Sequence, residues 1–245
     1  MQVTNLRDLP GPDTMTPTER VYPVSLVLAG KKCLVVGGGK VAGRKTRSLL
    51  ECRASVTMVA PQVHEALGLL SADGTIAAIE DTPLDVQLRA YSPGEAAGYR
   101  LVVTATGVPE VDRMVASDAD RAGVWVNSAD DPANCTFLLP AVERRGPVVV
   151  SVSTSGTSPA LATWLRKRIG ASLGPGLEEL AALLEEGRHL VKDRGDSTES
   201  IDWASILDGP IVELVAAGRI DEARALLLSA LIPGASGAGP EPPAD

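Results

Sequence analysis

The sequence predicts an α/β fold: a mostly parallel sheet with helices on both faces, then a strand-plus-helix segment and a helical end. Three observations predict it. Short apolar runs alternate with helix-compatible stretches between residues 22 and 140. Gly37, Gly38 and Gly39 join the first such run directly to the first helix. Aromatic residues make up only 3% of a chain that is 44% apolar, so Ala, Val and Leu must fill the core, which suits close helix–strand layers.

The elements follow in order. Residues 1–21 are polar and proline-containing and are expected to form a loose tail. Cys33–Val36 is the first strand, and Val41–Leu50 is a helix with Ala42, Leu49 and Leu50 available for packing. Ser55–Ala60 is a second strand, stopped by Pro61, and Leu101–Thr106 is a third. Pro109–Ala122 reads as a helix ended by Gly123, and Val124–Asn127 as another strand. Arg145-Gly146-Pro147 is a turn signal before the β-branched run Val148–Ser153. Ser158 is placed to cap a helix whose first residue is Pro159 and which runs to Leu173. Gly174-Pro175-Gly176 breaks the chain. Leu177–Leu190 and roughly Trp203–Leu231 are then helical, the second interrupted near Gly218. Residues 233–245 are low in complexity and are expected to be disordered.

Composition narrows the function classes. The 245 residues suit one large domain or two small ones. A net charge of −8 argues against a nucleic-acid surface but leaves room for a local basic pocket. Cys33, Cys52 and Cys135 are odd in number and form no C-x-x-C, so a disulfide scaffold or zinc module is not expected, and a reducing cytoplasm is. His64 and His189 are the only histidines. The first 20 residues lack the apolar stretch of a signal peptide, and no run of 18 apolar residues predicts a membrane span.

Chemistry concentrates in three places. Gly37, Gly39 and Ala42 fit G-x-G-x-x-A between a strand and a helix, the dinucleotide fingerprint. The first glycine permits the tight turn, the second lets a pyrophosphate approach the backbone, and the small third residue lets helix pack on strand. The helix N-terminus then presents N–H groups to phosphate. An ordinary glycine turn is the alternative reading. Asp130 and Asp131 follow the Val124–Asn127 strand, at the end where open α/β sheets place ligands. One reading makes a chemical carboxylate of Asp130; the other is an Asp-Asp-Pro turn closed by either aspartate. Ser153–Ser158 is a hydroxyl-rich loop that either holds an anion or only caps the next helix. Arg44, Lys45, Arg166, Lys167 and Arg168 are candidate carboxylate partners, or else cover solvated helix faces.

G-G-G-x-V-A-x-R-K at Gly37–Lys45, V-N-x-x-D-x-P at Val126–Pro132 and S-x-x-G-T-S-P at Ser153–Pro159 occur here in one order. Together with Tyr22-Pro23, Leu26 and Leu28 they resemble the precorrin-2 dehydrogenase and sirohydrochlorin ferrochelatase family, which includes the N-terminal module of sirohaem synthases. The resemblance implies a Rossmann-like NAD domain over 22–140, a dimerisation segment over 141–173 and a helical domain over 174–232. It implies oxidation of precorrin-2 to sirohydrochlorin with NAD, in a cytoplasmic homodimer. Some members also insert ferrous iron, so a tetrapyrrole and Fe2+ or Co2+ are the implied substrates; nucleic acid and membrane are not implied partners.

By the same resemblance Asp130 is the catalytic carboxylate. Gly37, Gly38, Gly39, Lys40, Val41, Ala42, Ala60, Pro61, Thr104, Ala105 and Thr106 meet the cofactor. Arg44, Lys45, Asn127, Ser153, Thr154, Ser155, Gly156 and Thr157 meet the substrate. Two departures stand out. The acidic residue usual about 20 positions after the glycine loop is absent, the second strand ending Met58-Val59-Ala60-Pro61. Gly107 and Val108 stand where many relatives carry acidic residues. A chelatase without redox activity, and a nucleotide-binding module without catalysis, are the competing readings.

Overall fold

The structure is a computed structural model and describes residues 21–64, 84–129 and 131–232. Its first unit comprises residues up to Leu139 together with Ser155–Thr157. Five parallel strands form one sheet in the order β3-β2-β1-β4-β5: β1 (Lys32–Val36), β2 (Ser55–Ala60), β3 (Leu84–Leu88), β4 (Leu101–Thr104) and β5 (Trp125–Ser128). Helix α1 (Lys40–Glu51) connects β1 to β2, and α2 (Pro109–Arg121) connects β4 to β5.

Strand periodicity sorts the core. Cys33 and Val35 of β1 join Val56, Met58, Leu101 and Val103 under Ala42, Leu49 and Leu50 of α1. Leu34 and Val36 point the other way, meeting Val102, Val126 and the α2 residues Val115, Ala116 and Ala119. Strands covered on both faces must be apolar throughout, which is why β1, β2 and β4 read so plainly in the sequence. Cys33 is fully buried, and that burial pushes its thiol up to about 11, consistent with a small hydrophobe. All three cysteines are free.

Buried polar groups show where this unit is tied. Asp118 of α2 accepts hydrogen bonds from the Tyr91 hydroxyl (3.0 Å) and the Gly94 N–H (2.6 Å), and pairs with Arg121. The Gly94 N–H, more than any other contact, holds its carboxyl below the usual carboxylate range. A depressed folded-state value means this contribution is present above the ordinary carboxylate range and lost as pH falls through the folded value. Asp118→Ala removes the acceptor of the buried Tyr91 hydroxyl and of the Gly94 N–H and is expected to cost about 2 kcal/mol in urea unfolding, with a weaker loss of stability on acidification than wild type shows. Thr46, also buried, has a hydroxyl with no hydrogen-bond partner. Thr46→Val is expected to raise stability by about 1 kcal/mol in the same assay, because shape is kept and an unsatisfied polar group is removed.

The second unit comprises residues 140–154 and those from Ser158 onward. Strands β6 (Ala141–Arg145) and β7 (Val148–Val152) form an antiparallel hairpin with Arg145 opposite Val148. Its two-residue turn opens with Gly146 at φ 54°, as hairpin turns of this length require. Helix α3 (Pro159–Ser172) packs on the hairpin. Ser158 caps it, its Oγ accepting from the Leu161 N–H at 3.2 Å, with proline in its first turn as the sequence predicts. Helices α4 (Leu177–Asp193), α5 (Trp203–Leu207), α6 (Ile211–Ala216) and α7 (Ile220–Leu231) follow. Leu180, Leu183, Val191, Ile211, Val215, Ala223, Leu227 and Leu231 form their shared core.

Several boundaries differ from the sequence reading. Trp203–Leu231 is three helices, because Pro210 interrupts it as well as Gly218. The third predicted strand ends at Thr104, two residues early, because Thr106 turns its N–H to a side chain of α2. Strands β3 and β6 escape the sequence reading: LDVQL and AVERR are only half-buried and carry charge. Among the described residues no helix is long and apolar enough to cross a membrane.

Candidate functional site

The carboxyl ends of β1 and β4 lie side by side, with Val36 paired to Thr104, and the chain leaves the two strands in opposite directions across the sheet. Such a switch point opens a crevice. Gly37 enters it at φ 127°, and a Cβ there would stand 2.3 Å from the Ala105 carbonyl oxygen. A Cβ at Gly38 would stand 1.9 Å from the Gln62 carbonyl oxygen and 3.0 Å from Ala60 Cβ. These two glycines are therefore required by the protein itself. Gly39 is different: it is exposed, and a Cβ there would meet nothing within 4 Å. Its lack of a side chain matters only to something outside the protein.

Gly39 is the N-cap of α1 and supplies no side-chain cap, and no acidic residue stands in the first turn. By contrast α2 carries Glu110 and Asp112 in its first turn. Helix α1 therefore keeps the positive end of its dipole and its leading N–H groups for an outside anion. Lys40 is exposed, Val41 half-buried, and Ala42 fully buried against the sheet. Ala60 is buried and Pro61 exposed, so no carboxylate or guanidinium projects from the end of β2. The residues present fit a dinucleotide pyrophosphate; they offer no side-chain selection at the adenosine ribose from that strand end.

One turn further along α1, Arg44 is exposed and Lys45 half-buried. Burial, then the neighbouring Arg44, lowers the Lys45 amine from its ordinary value, and Cys135 partly opposes this. An arriving carboxylate relieves the repulsion between these two cations.

Thr104 is buried, and Ala105 and Thr106 are half-buried. The Thr104 hydroxyl donates to Asp112 Oδ1, and so do the Thr106 hydroxyl (2.8 Å) and the Thr106 N–H (3.2 Å). The sequence reading missed Asp112. Its only sequence signal is an acidic residue in the first turn of a helix, which dipole complementarity already explains.

After β5 the chain folds back. Asn127 is buried with 6% exposure and donates to the Phe137 carbonyl at 3.0 Å, so its observed amide contact is with the protein rather than in an open pocket. The Cys135 thiol accepts from the Ser128 N–H at 3.2 Å, pinning the returning segment to the strand end. Asp131 accepts from the Ala133 N–H (3.2 Å) and Asn134 Nδ2 (2.8 Å), which makes it the turn-forming aspartate of the pair. Asp130 lies outside the described residues.

The hydroxyl loop is divided. Ser153 and Thr154 belong to the second unit, where Thr154 Oγ1 donates to the Ser158 carbonyl and accepts from its N–H, both at 3.0 Å. Ser155, Gly156 and Thr157 count with the first unit. Ser155 has φ 51° and Gly156 φ 81°; left-handed backbone at a serine is uncommon and tends to mark functional loops. Of the later cations, Arg166 is paired with Glu143 at 2.6 Å and Arg168 lies over the Trp164 ring at 5.0 Å, while Lys167 is exposed. Their observed partners are structural.

Comparison with known proteins gives a consistent picture. An NAD(P)-binding family model matches residues 24–141, the sirohaem biosynthesis protein central model matches 145–172, and the sirohaem synthase dimerisation region matches 176–231. Sirohaem synthase of Methylobacillus flagellatus is 36% identical over 204 residues, covering 82% of this chain and 42% of that protein. Sirohaem synthase of Gluconacetobacter diazotrophicus is 38% identical over 208 residues, covering 84% and 43%. The chain thus spans less than half the length of the curated relatives it matches. A solved structure described as SirC, precorrin-2 dehydrogenase, superposes with a TM-score of 0.64 at 24% identity, covering 86% of this chain and 98% of that one, and it shares the fold.

Proposed function

We infer that this chain, which belongs to the sirohaem-biosynthesis family whose nucleotide-binding, central and dimerisation regions it carries in order, oxidises precorrin-2 to sirohydrochlorin with NAD. The observation that carries the inference is the α1 N-terminus. It is left uncapped, free of acidic neighbours and open at Gly39, in the crevice at the sheet's switch point. When bound, NAD supplies a hydride acceptor.

The chain's own residues do the rest. Backbone N–H groups at the start of α1 hold the pyrophosphate, and Gly37 and Gly38 let the loop close tightly against Ala105 and Gln62. Arg44 and Lys45 offer cations to the polycarboxylate substrate. Ser155, Gly156 and Thr157, which count with the same unit, add hydroxyl and N–H donors for substrate carboxylates. The reaction removes a proton along with the hydride, and Asp130 accepts that proton; the commitment of Asp131 to the turn supports giving this task to its neighbour. The match to a dimerisation region supports a homodimer.

The test is anaerobic incubation of the purified protein with precorrin-2 and NAD, with and without Fe2+ or Co2+. NADH formation in every arm is the expected result. In a parallel incubation supplied with sirohydrochlorin and metal, metal insertion by a protein that forms no NADH from precorrin-2 selects a chelatase without redox activity. Nucleotide binding with neither reaction selects a non-catalytic module.

A further inference from the structure

We propose that Asp112 is a positioning residue for the dinucleotide site: it locks the loop after β4 into the shape against which the glycine turn closes. The proposal rests on the reading that this crevice binds NAD.

The geometry begins with one carboxylate oxygen. Asp112 Oδ1 receives the Thr104 hydroxyl, the Thr106 hydroxyl at 2.8 Å and the Thr106 N–H at 3.2 Å. With its proton directed to Asp112, Thr106 Oγ1 is left to accept, and it accepts from the Val108 N–H at 3.0 Å. Thr104 and Thr106 are thereby fastened to the first turn of α2, and Val108 is tied back to Thr106. Within it Gly107 takes φ 72°, so the loop turns sharply at that point.

Ala105 lies inside this fastened stretch. Its N–H donates to the Val36 carbonyl at 2.8 Å, and its own carbonyl forms the wall 2.3 Å from where a Gly37 Cβ would be. The position of that carbonyl sets how deeply Gly37 can turn, and Gly37 sets where Gly39 and the α1 N-terminus begin. Asp112 therefore acts on the anion site through a contiguous path of bonded and packed groups, without reaching the site itself.

A carboxylate suits this post for two reasons. It is acceptor-only, and all three of these partners donate. It also sits in the first turn of α2, where the helix dipole favours negative charge and no side chain caps the end. Gly107 and Val108 are uncharged, so Asp112 supplies the carboxylate that holds this loop from the helix side.

The experiment has two readouts, NAD affinity by titration and amide hydrogen exchange at Thr106 and Val108 in the protein without nucleotide. Asp112→Ala is expected to expose both amides to exchange and weaken NAD binding roughly ten-fold, as loss of a charge-assisted hydrogen-bond set does. Asp112→Asn keeps an acceptor oxygen and is expected to recover most of the affinity. Thr106→Val, a milder change for which folding is less at risk, is expected to weaken NAD binding in the same direction. Combined with Asp112→Ala it adds less than its separate effect. Unchanged exchange in Asp112→Ala overturns the lock. Fast exchange with unchanged NAD affinity overturns its transmission to the glycine turn. A wild-type protein that binds no NAD, yet protects both amides, removes the nucleotide reading and with it the positioning role, while the local lock stands.

Discussion

Gly39→Ala is expected to lose no more than about 1 kcal/mol of stability, the preference of a helix N-cap for glycine over alanine, and yet to lose NAD affinity by about 2 kcal/mol, roughly thirty-fold in Kd. The two halves of this result have separate causes. No protein atom lies within 4 Å of the added methyl group, and the residue's φ of −89° is open to alanine, so the fold loses only the N-cap preference for glycine. A pyrophosphate seated on the α1 N-terminus does, because its oxygens must approach that backbone closely. Gly37→Ala and Gly38→Ala differ in kind. Their methyl groups would press on backbone carbonyl oxygens at 2.3 and 1.9 Å, and Gly37 also has φ 127°. Each is expected to cost about 3 kcal/mol or more of stability and to lose NAD binding as a consequence. Thermal melts beside NAD titrations separate the cases. Wild-type NAD affinity in Gly39→Ala would remove the pyrophosphate from this site.

Asp130→Asn is expected to lower kcat for NADH formation by about 10²- to 10⁴-fold while leaving NAD affinity unchanged, the range typical of a lost general base. The neighbouring aspartate provides the control. Asp131→Ala deletes the acceptor for Ala133 N–H and Asn134 Nδ2 and is expected to cost about 1 kcal/mol of stability with turnover largely kept. Steady-state kinetics on both variants, with urea unfolding alongside, reads the difference. Full turnover in Asp130→Asn, or its collapse in Asp131→Ala without a stability change, would exchange the roles assigned to the pair.

What could be read from the sequence was what is local. The glycine loop, the Ser158-Pro159 start of α3 and the apolar runs of β1, β2 and β4 are each decided within a few consecutive residues. Turn geometry, capping and two-sided burial act at that range. Strands β3 and β6 are half-exposed: AVERR shows neither alternation nor an apolar run, and LDVQL alternates over only five residues. The break at Pro210 does not show in the hydrophobic pattern, because apolar residues continue on both sides of it.

The site divided in the same way. Gly37, Gly39 and Ala42 are adjacent in sequence and carry their geometry with them. The tasks of Asp112 and Asp118 depend on partners such as Thr104, Tyr91 and Gly94, which only the folded chain brings near. Asn127 shows the opposite hazard. It stands in a motif that points to substrate, but its amide is used to hold Phe137.

An anaerobic single-turnover experiment tests the central claim most directly. Protein in excess over precorrin-2 is mixed with NAD in the absence of added metal, and reduced nicotinamide and sirohydrochlorin are followed by their absorbance. The account predicts that both appear at one rate and in equal amounts. Precorrin-2 left unchanged, or sirohydrochlorin formed without matching NADH, would contradict it.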